Sequence, residues 1–398
     1  MTVRMTQLKI SDNEFKMRCD GLLQLIEEKS LSGVVLFKSE YIHYYTGFAF
    51  IPTERPIAFA MNAQGERYLF VPRIEKEHAE ANALIDEVHF YKEYPDKPHP
   101  MSQFMDVLKN MNIQGKVGAD VDGYPIIFGY RGRSLSESGA FDVSIISNFI
   151  EDCMIIKSPA EINLLRESSK WANLALYLLQ KYTAPGKTET EVTQRANSEA
   201  SSAMLATIGP IYKAQAWQKD GAYAEYRGQI GRNAAIPHSL ANNIVFRTGD
   251  VLVAESTSAV WGYVSELERT MIIGSPTDDQ RIFFDHMMAL QDIAFEAIVP
   301  GEPCYTVDEK VRAYYQKHGL NDNWRHHTGH AIGMRYHEGP FLDVGDETII
   351  EPGMVFTVEP GLYRDDLGGF RHSDTVVVTE DGIEIITYYP RELESLII

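Results

Sequence analysis

Cysteine is scarce in this chain. Cys19, Cys153 and Cys304 lie too far apart for a paired-ligand pattern, and their small number suits a reducing compartment. No apolar run reaches the roughly 18 to 20 residues that a membrane helix needs. The opening stretch, MTVRMTQLKISDNEFKMR, lacks the apolar core of a secretory signal, so a cytoplasmic location is expected. Positive charge is short as well: 37 Lys and Arg stand against 56 Asp and Glu, a formal net charge of −19. That balance argues against nucleic acid or an anionic membrane as partner, and it leaves room for a cationic or zwitterionic small molecule. Proline (18) and glycine (29) are too few for a disordered or fibrous chain, whereas 44% hydrophobic and 23% charged residues are ordinary for a soluble globular one. At 398 residues, two domains are expected.

The richest stretch runs from Val251 to Gly274, two apolar segments joined across Ser256 to Gly262 and patterned as a β-hairpin. Strand alternation puts Glu266 and Glu268 on one face, with Leu267 on the other. Glu255 interrupts the first segment and is expected to face Glu266 across the hairpin. Three carboxylates on one surface repel unless a cation or a shared proton relieves them. This makes the hairpin the candidate site.

Around it, helical spacing of Phe15, Leu22, Leu23, Leu25 and Ile26 predicts an opening amphipathic helix over residues 11–29. Short strands follow at 33–37, 57–61, 67–71 and 88–91, and the alternation continues to about Ile150, as in a small α/β domain. A second unit starts near Ile155. There Ser158, Pro159 and Glu161 form a capping box with proline in the first turn, ahead of a long apolar-faced helix. Further helices are expected from Glu191 to about Ala206, over 279–298 and over 305–318, with strands between and after them. The boundaries read as 1–154 and 155–398.

Four more segments carry candidate chemistry: Pro237-His238, His326-His-Thr-Gly-His330-Ala-Ile-Gly333 with His337-Glu338-Gly-Pro340 close behind, Glu351 to Gly361 around Glu359, and Gly369-Phe-Arg-His372-Ser373-Asp374. Together, in this order, TGHAIG, YHEGP, PGMVFTVEPG and the GYxSxxxRT hairpin resemble the creatinase/prolidase superfamily over the whole chain. The resemblance implies an α+β fold: a two-domain creatinase/prolidase architecture, with an N-terminal creatinase-like α/β domain and a C-terminal pita-bread catalytic domain. It also implies a homodimer.

In the metal peptidases of that superfamily, Asp, Asp, His, Glu and Glu hold two divalent ions. Those positions fall here on Glu255, Glu266, His330, Glu359 and Ser373. Both aspartates are a methylene longer and the last carboxylate is a hydroxyl, which argues against a dinuclear site. One ion (Mn, Co, Zn or Fe) on Glu255, Glu266, His330 and Glu359 is the alternative to none at all. The favoured branch is the metal-free one of creatinase and the ectoine hydrolases: the Leu-Glu-Arg-Thr run of creatinase matches Leu267 to Thr270, and the catalytic histidine of creatinase falls on His238.

The expectation is therefore a hydrolase that opens a non-peptide C–N bond in a creatine- or ectoine-like amidine. Carboxylates would balance the planar cation in bidentate fashion. Glu255, Glu266, Glu268 and Glu359 would hold it or supply a nucleophile, and His238 and His330 would transfer protons. Substrate contacts are expected from His337, His372 and Trp261, and from Phe48, Phe50 and Arg55, which sit in the loop that reaches the partner's cleft in creatinase-like dimers. Two alternatives stand beside this: an Xaa-Pro dipeptidase or aminopeptidase with an altered metal site, favoured by the intact TGHAIG and YHEGP elements, and a catalytically silent binding module.

Overall fold

The computed structural model describes residues 8–138, 141–209 and 221–398. The chain divides into Ile10–Cys153 and a larger unit, Met154–Ile398, which also takes in Leu8 and Lys9.

The smaller unit opens with the helix Asp12–Glu28, capped by the Ser11 side chain, which accepts from the Glu14 N–H. Its Phe15, Cys19, Leu22, Leu25 and Ile26 are buried, as the helical spacing predicts. A six-stranded mixed sheet follows, in the order Glu87–Tyr91, Arg67–Pro72, Ala58–Asn62, Gly33–Leu36, Gly115–Ala119, Phe141–Ile145. The stretch Ser39–Thr46 is helical and closes on Gly47 in the left-handed region, φ 72°.

In the larger unit the capping box forms as expected: Glu161 N–H donates to Ser158 Oγ at 3.2 Å, and Ser158 N–H to Glu161 Oε2 at 2.7 Å. The helix it starts, Pro159–Tyr182, buries Leu164, Leu165, Ala172, Ala175, Leu176 and Leu179. Midway along that helix Ser168 Oγ contacts the Ser258 carbonyl oxygen and lies 2.8 Å from Ser265 Oγ. The helix is thereby fastened to both arms of the hairpin, one residue from Glu266.

Among the described residues the larger sheet has nine strands. Its main path runs Glu338–Leu342, Gly329–Ala331, Val355–Val358, Ser373–Thr379, Leu267–Ile272, Val251–Val260, Ala222–Glu225, and the pairings along it are antiparallel. The expected helices appear as Glu189–Ile208, Asp278–Ala297 and Tyr305–Lys317. Fold class is thus α+β, as the sequence indicated. No helix among the described residues is long and apolar enough to cross a membrane.

Candidate active site

The hairpin register differs from expectation. Glu255 stands opposite Glu268 rather than Glu266, because the turn spans Val260 to Tyr263 and Glu266 precedes the paired run Leu267–Ile272. The neighbouring strand adds Glu225 opposite Glu255, and on the far side Ser373 faces Glu268. A row of Glu225, Glu255, Glu268 and Ser373 therefore crosses four strands on one face. Its charge is met by two arginines that sequence reasoning did not single out. Arg227 Nη2 lies 2.9 Å from Glu255 Oε2 and 3.6 Å from Glu268 Oε1. Arg371 grips Glu268 through both Nε and Nη2, and donates from Nη1 to Tyr363 Oη at 3.1 Å.

Glu266, His330 and Glu359 form a second group, whose ligand atoms all lie within 4.8 Å of one another. Glu266 is held by the Thr375 hydroxyl, which accepts from its N–H (2.9 Å) and donates to its carbonyl oxygen (2.8 Å). Ser373 Oγ donates to Glu266 Oε1 at 2.9 Å. Glu359 follows its strand directly, and its N–H donates to the Thr328 carbonyl oxygen at 2.8 Å.

His330 is fully buried. Its Nδ1 lies 3.0 Å from the Ala331 carbonyl oxygen, which fixes that nitrogen as the donor. Nε2 has no hydrogen-bond partner among the described residues, although it is 3.3 Å from Glu359 Oε1. A buried imidazole nitrogen this close to two carboxylates calls for positive charge, either a proton on the ring or a cation between them. Gly329 lets the strand come this close: a Cβ there would lie 2.0 Å from the Thr357 carbonyl oxygen.

The proton affinities point the same way. Burial, and then the Glu359 charge, push Glu266 well above the usual carboxylate range. Burial raises Glu268 to about 7 against the pull of Arg371. Burial would raise Glu359 too, but His330, Arg371 and His326 outweigh it and hold it far below that range. Burial would lower His330, yet Glu359 and Glu266 push it up to about 9. The trio wants positive charge in its midst. One His and two carboxylates are a ligand set suited to a divalent ion, and the hydrogen bonds just described hold each of them in place.

Both groups open on a cavity of about 480 Å³, within the range of small-molecule sites. His238, His326, His327, His337, Tyr336 and Arg325 complete its wall. His337 stacks on His330 with ring centroids 3.8 Å apart. Its loop is pinned by buried Glu338, which accepts from the Met334 and Arg335 N–H groups (3.0 and 3.1 Å) and from Lys157 Nζ at 2.9 Å. His326 Nε2 is 2.7 Å from Tyr363 Oη, which ties it to Arg371.

Two residues expected at the site, His372 and Trp261, do not line the cavity. His372 points away from the cavity, as alternation from Arg371 requires. Its Nδ1 accepts from Thr270 N–H at 3.1 Å and its Nε2 faces the Arg391 carbonyl at 3.0 Å, so it is a structural histidine. Trp261 occupies the hairpin turn at φ 54° and does not line the cavity. In the smaller unit, Phe48 and Phe50 are buried and stacked on each other at 5.3 Å, and Arg55 is bound by Glu54 and Glu93. Glu255, expected among the ligands of any ion, is engaged by Arg227 instead.

The pattern of metallopeptidase family M24 matches residues 163–380, and that of the creatinase/prolidase N-terminal domain matches residues 18–131. An Xaa-Pro dipeptidase of Pyrococcus furiosus is 28% identical over 380 residues, covering 95% of this chain and 99% of its own. One from Lactobacillus delbrueckii subsp. lactis is 25% identical over 383 residues, covering 96% and 99%. Among solved structures, prolidase from Thermococcus sibiricus superposes with a TM-score of 0.81 at 24% identity, covering 97% and 99%. At that identity the superposition speaks for the fold alone. These findings correct two expectations. Relatives named as dipeptidases overturn the amidine hydrolase, and a match to a metallopeptidase family overturns the expectation that no metal is needed.

Proposed function

Because the chain belongs to metallopeptidase family M24, we propose that it is a metal-dependent hydrolase of small peptides, of the Xaa-Pro dipeptidase type. The observation that carries this reading is the convergence of Glu266, His330 and Glu359 within 4.8 Å, with His330 Nε2 left unpartnered. These three residues would hold the ion. When bound, such an ion polarises a carbonyl and lowers the pKa of a coordinated water.

The chain's own groups supply the rest. His238, exposed on the cavity wall, is the proton donor for the departing imino nitrogen, which leaves poorly unless protonated. Burial holds His337 below the ordinary histidine range, so it is neutral near pH 7 and offers a hydrogen bond without adding charge. A dipeptide is a zwitterion. Its carboxylate has Arg325 to meet, a cavity guanidinium with no acidic partner among the described residues, and its ammonium has Glu225 on the cavity wall. A homodimer in the cytoplasm belongs to the same reading, and sedimentation velocity checks the dimer.

The test is a panel of Xaa-Pro dipeptides, the same dipeptides amidated at the C-terminus, and tripeptides. Cleavage confined to free-acid dipeptides supports the reading. Failure to cleave any peptide with metal supplied overturns it.

A further inference from the structure

Glu255 and Glu268 face each other in register on neighbouring strands, where two like charges repel most strongly. Arg227 is the cation that meets both, at 2.9 and 3.6 Å. Arg371 holds Glu268 from the other side and lies 3.7 Å from Glu359 Oε2. Beside them Ser373, in register with Glu268, gives Glu266 only a hydroxyl. The cavity carboxylates are therefore sorted. Glu255 and Glu268 are gripped by fixed guanidinium groups, while Glu266 and Glu359 converge on His330 Nε2, with Arg371 reaching Glu359 only at 3.7 Å.

We propose that this centre takes one divalent ion, on Glu266, His330 and Glu359, and that Arg227 and Arg371 are built-in cations that exclude a second. The proposal rests on the reading that a metal binds at the trio. A second ion held by Glu255 would meet the Arg227 guanidinium on that same carboxylate, and Arg371 on Glu268 beside it, and neither can shed its charge. In a buried, weakly screened setting that repulsion is large. Such an ion would also lack a carboxylate at position 373 to share with its neighbour.

The experiment is equilibrium dialysis of the metal-stripped full chain against Mn2+, with the electron paramagnetic resonance spectrum of the loaded protein as a second readout. The wild type is expected to bind one Mn2+ per chain and to show the six-line signal of an isolated ion. Arg227→Lys keeps the charge and is expected to stay at one. Arg227→Ser frees Glu255 and is expected to admit a second, weaker Mn2+, with spin coupling between the two. Two ions in the wild type would overturn the proposal and leave the dipeptidase reading standing. One ion in a folded Arg227→Ser variant would overturn the role given to Arg227. No Mn2+ in the wild type would overturn both readings together.

Discussion

His337 lies flat on His330, with ring centroids 3.8 Å apart and 19° between the planes. His330 is the ligand whose free nitrogen must point at the ion, and its orientation rests on the Ala331 carbonyl and on this stack. Removing such an outer support typically lowers metal affinity roughly 10- to 100-fold. His337→Ala is expected to weaken Mn2+ binding by that amount. His337→Phe keeps the stacking face and is expected to restore affinity without restoring full turnover. Titration calorimetry and steady-state kinetics on the two variants separate the roles. Equal affinity in wild type and His337→Ala would contradict the orienting role.

A second pair governs stability. Arg269 and Asp374 are joined at 2.8 Å with both side chains 1% exposed. Arg269 also donates to the carbonyl oxygens of Glu268, Ser373, Tyr389 and Pro390. Breaking a buried pair leaves an uncompensated charge and costs about 3–5 kcal/mol. Asp374→Ala is expected to lower the Tm by roughly 10 °C. Arg269→Lys is expected to lose nearly as much, since an ammonium cannot reach five acceptors in that planar arrangement. Differential scanning calorimetry of both variants checks this, and a Tm close to that of the wild type would contradict it.

The smaller unit carries a pH dependence of its own. His43 is buried, and that burial, with the charge of Arg18 adding to it, lowers its pKa from 6.5 to about 3. The unfolded chain therefore binds a proton there as pH falls below 6.5, while the folded one does not until about pH 3. Stability is full above the unfolded pKa and is lost as pH falls through this window. At pH 5 the linkage amounts to about 2 kcal/mol, at roughly 1.36 kcal/mol per pH unit. His43→Leu is expected to flatten the fall in Tm between pH 7 and pH 5 relative to wild type. Parallel curves for the two proteins would contradict it.

Much of the fold was legible because its signals are local. The Ser158–Glu161 capping box and the helical spacing of Phe15 to Ile26 each depend on a few neighbouring residues and appear as read, and the stretch from Val251 to Ile272 does pair as a hairpin. The site was legible in part. Glu266, His330 and Glu359 were named from motif positions, and they converge. The register was not: a shift of two residues set Glu255 against Glu268, which only the closed turn at Val260 to Tyr263 decides. Arg227, Arg371 and Glu225 passed unnoticed because a charge gains meaning only from what faces it across strands. His372 was overvalued for the converse reason, since its neighbour Arg371 lines the cavity while it points into the core.

The central claim, a peptidase whose chemistry depends on an ion at Glu266, His330 and Glu359, is tested most directly by chelation and add-back. The purified chain would be stripped with a chelator, dialysed, and assayed on an Xaa-Pro dipeptide before and after Mn2+ or Co2+ is returned, with Glu359→Gln treated in parallel. The account predicts cleavage that vanishes on stripping, returns with metal in the wild type and does not return in Glu359→Gln. Cleavage undiminished by the chelator, or none under any metal, would contradict it.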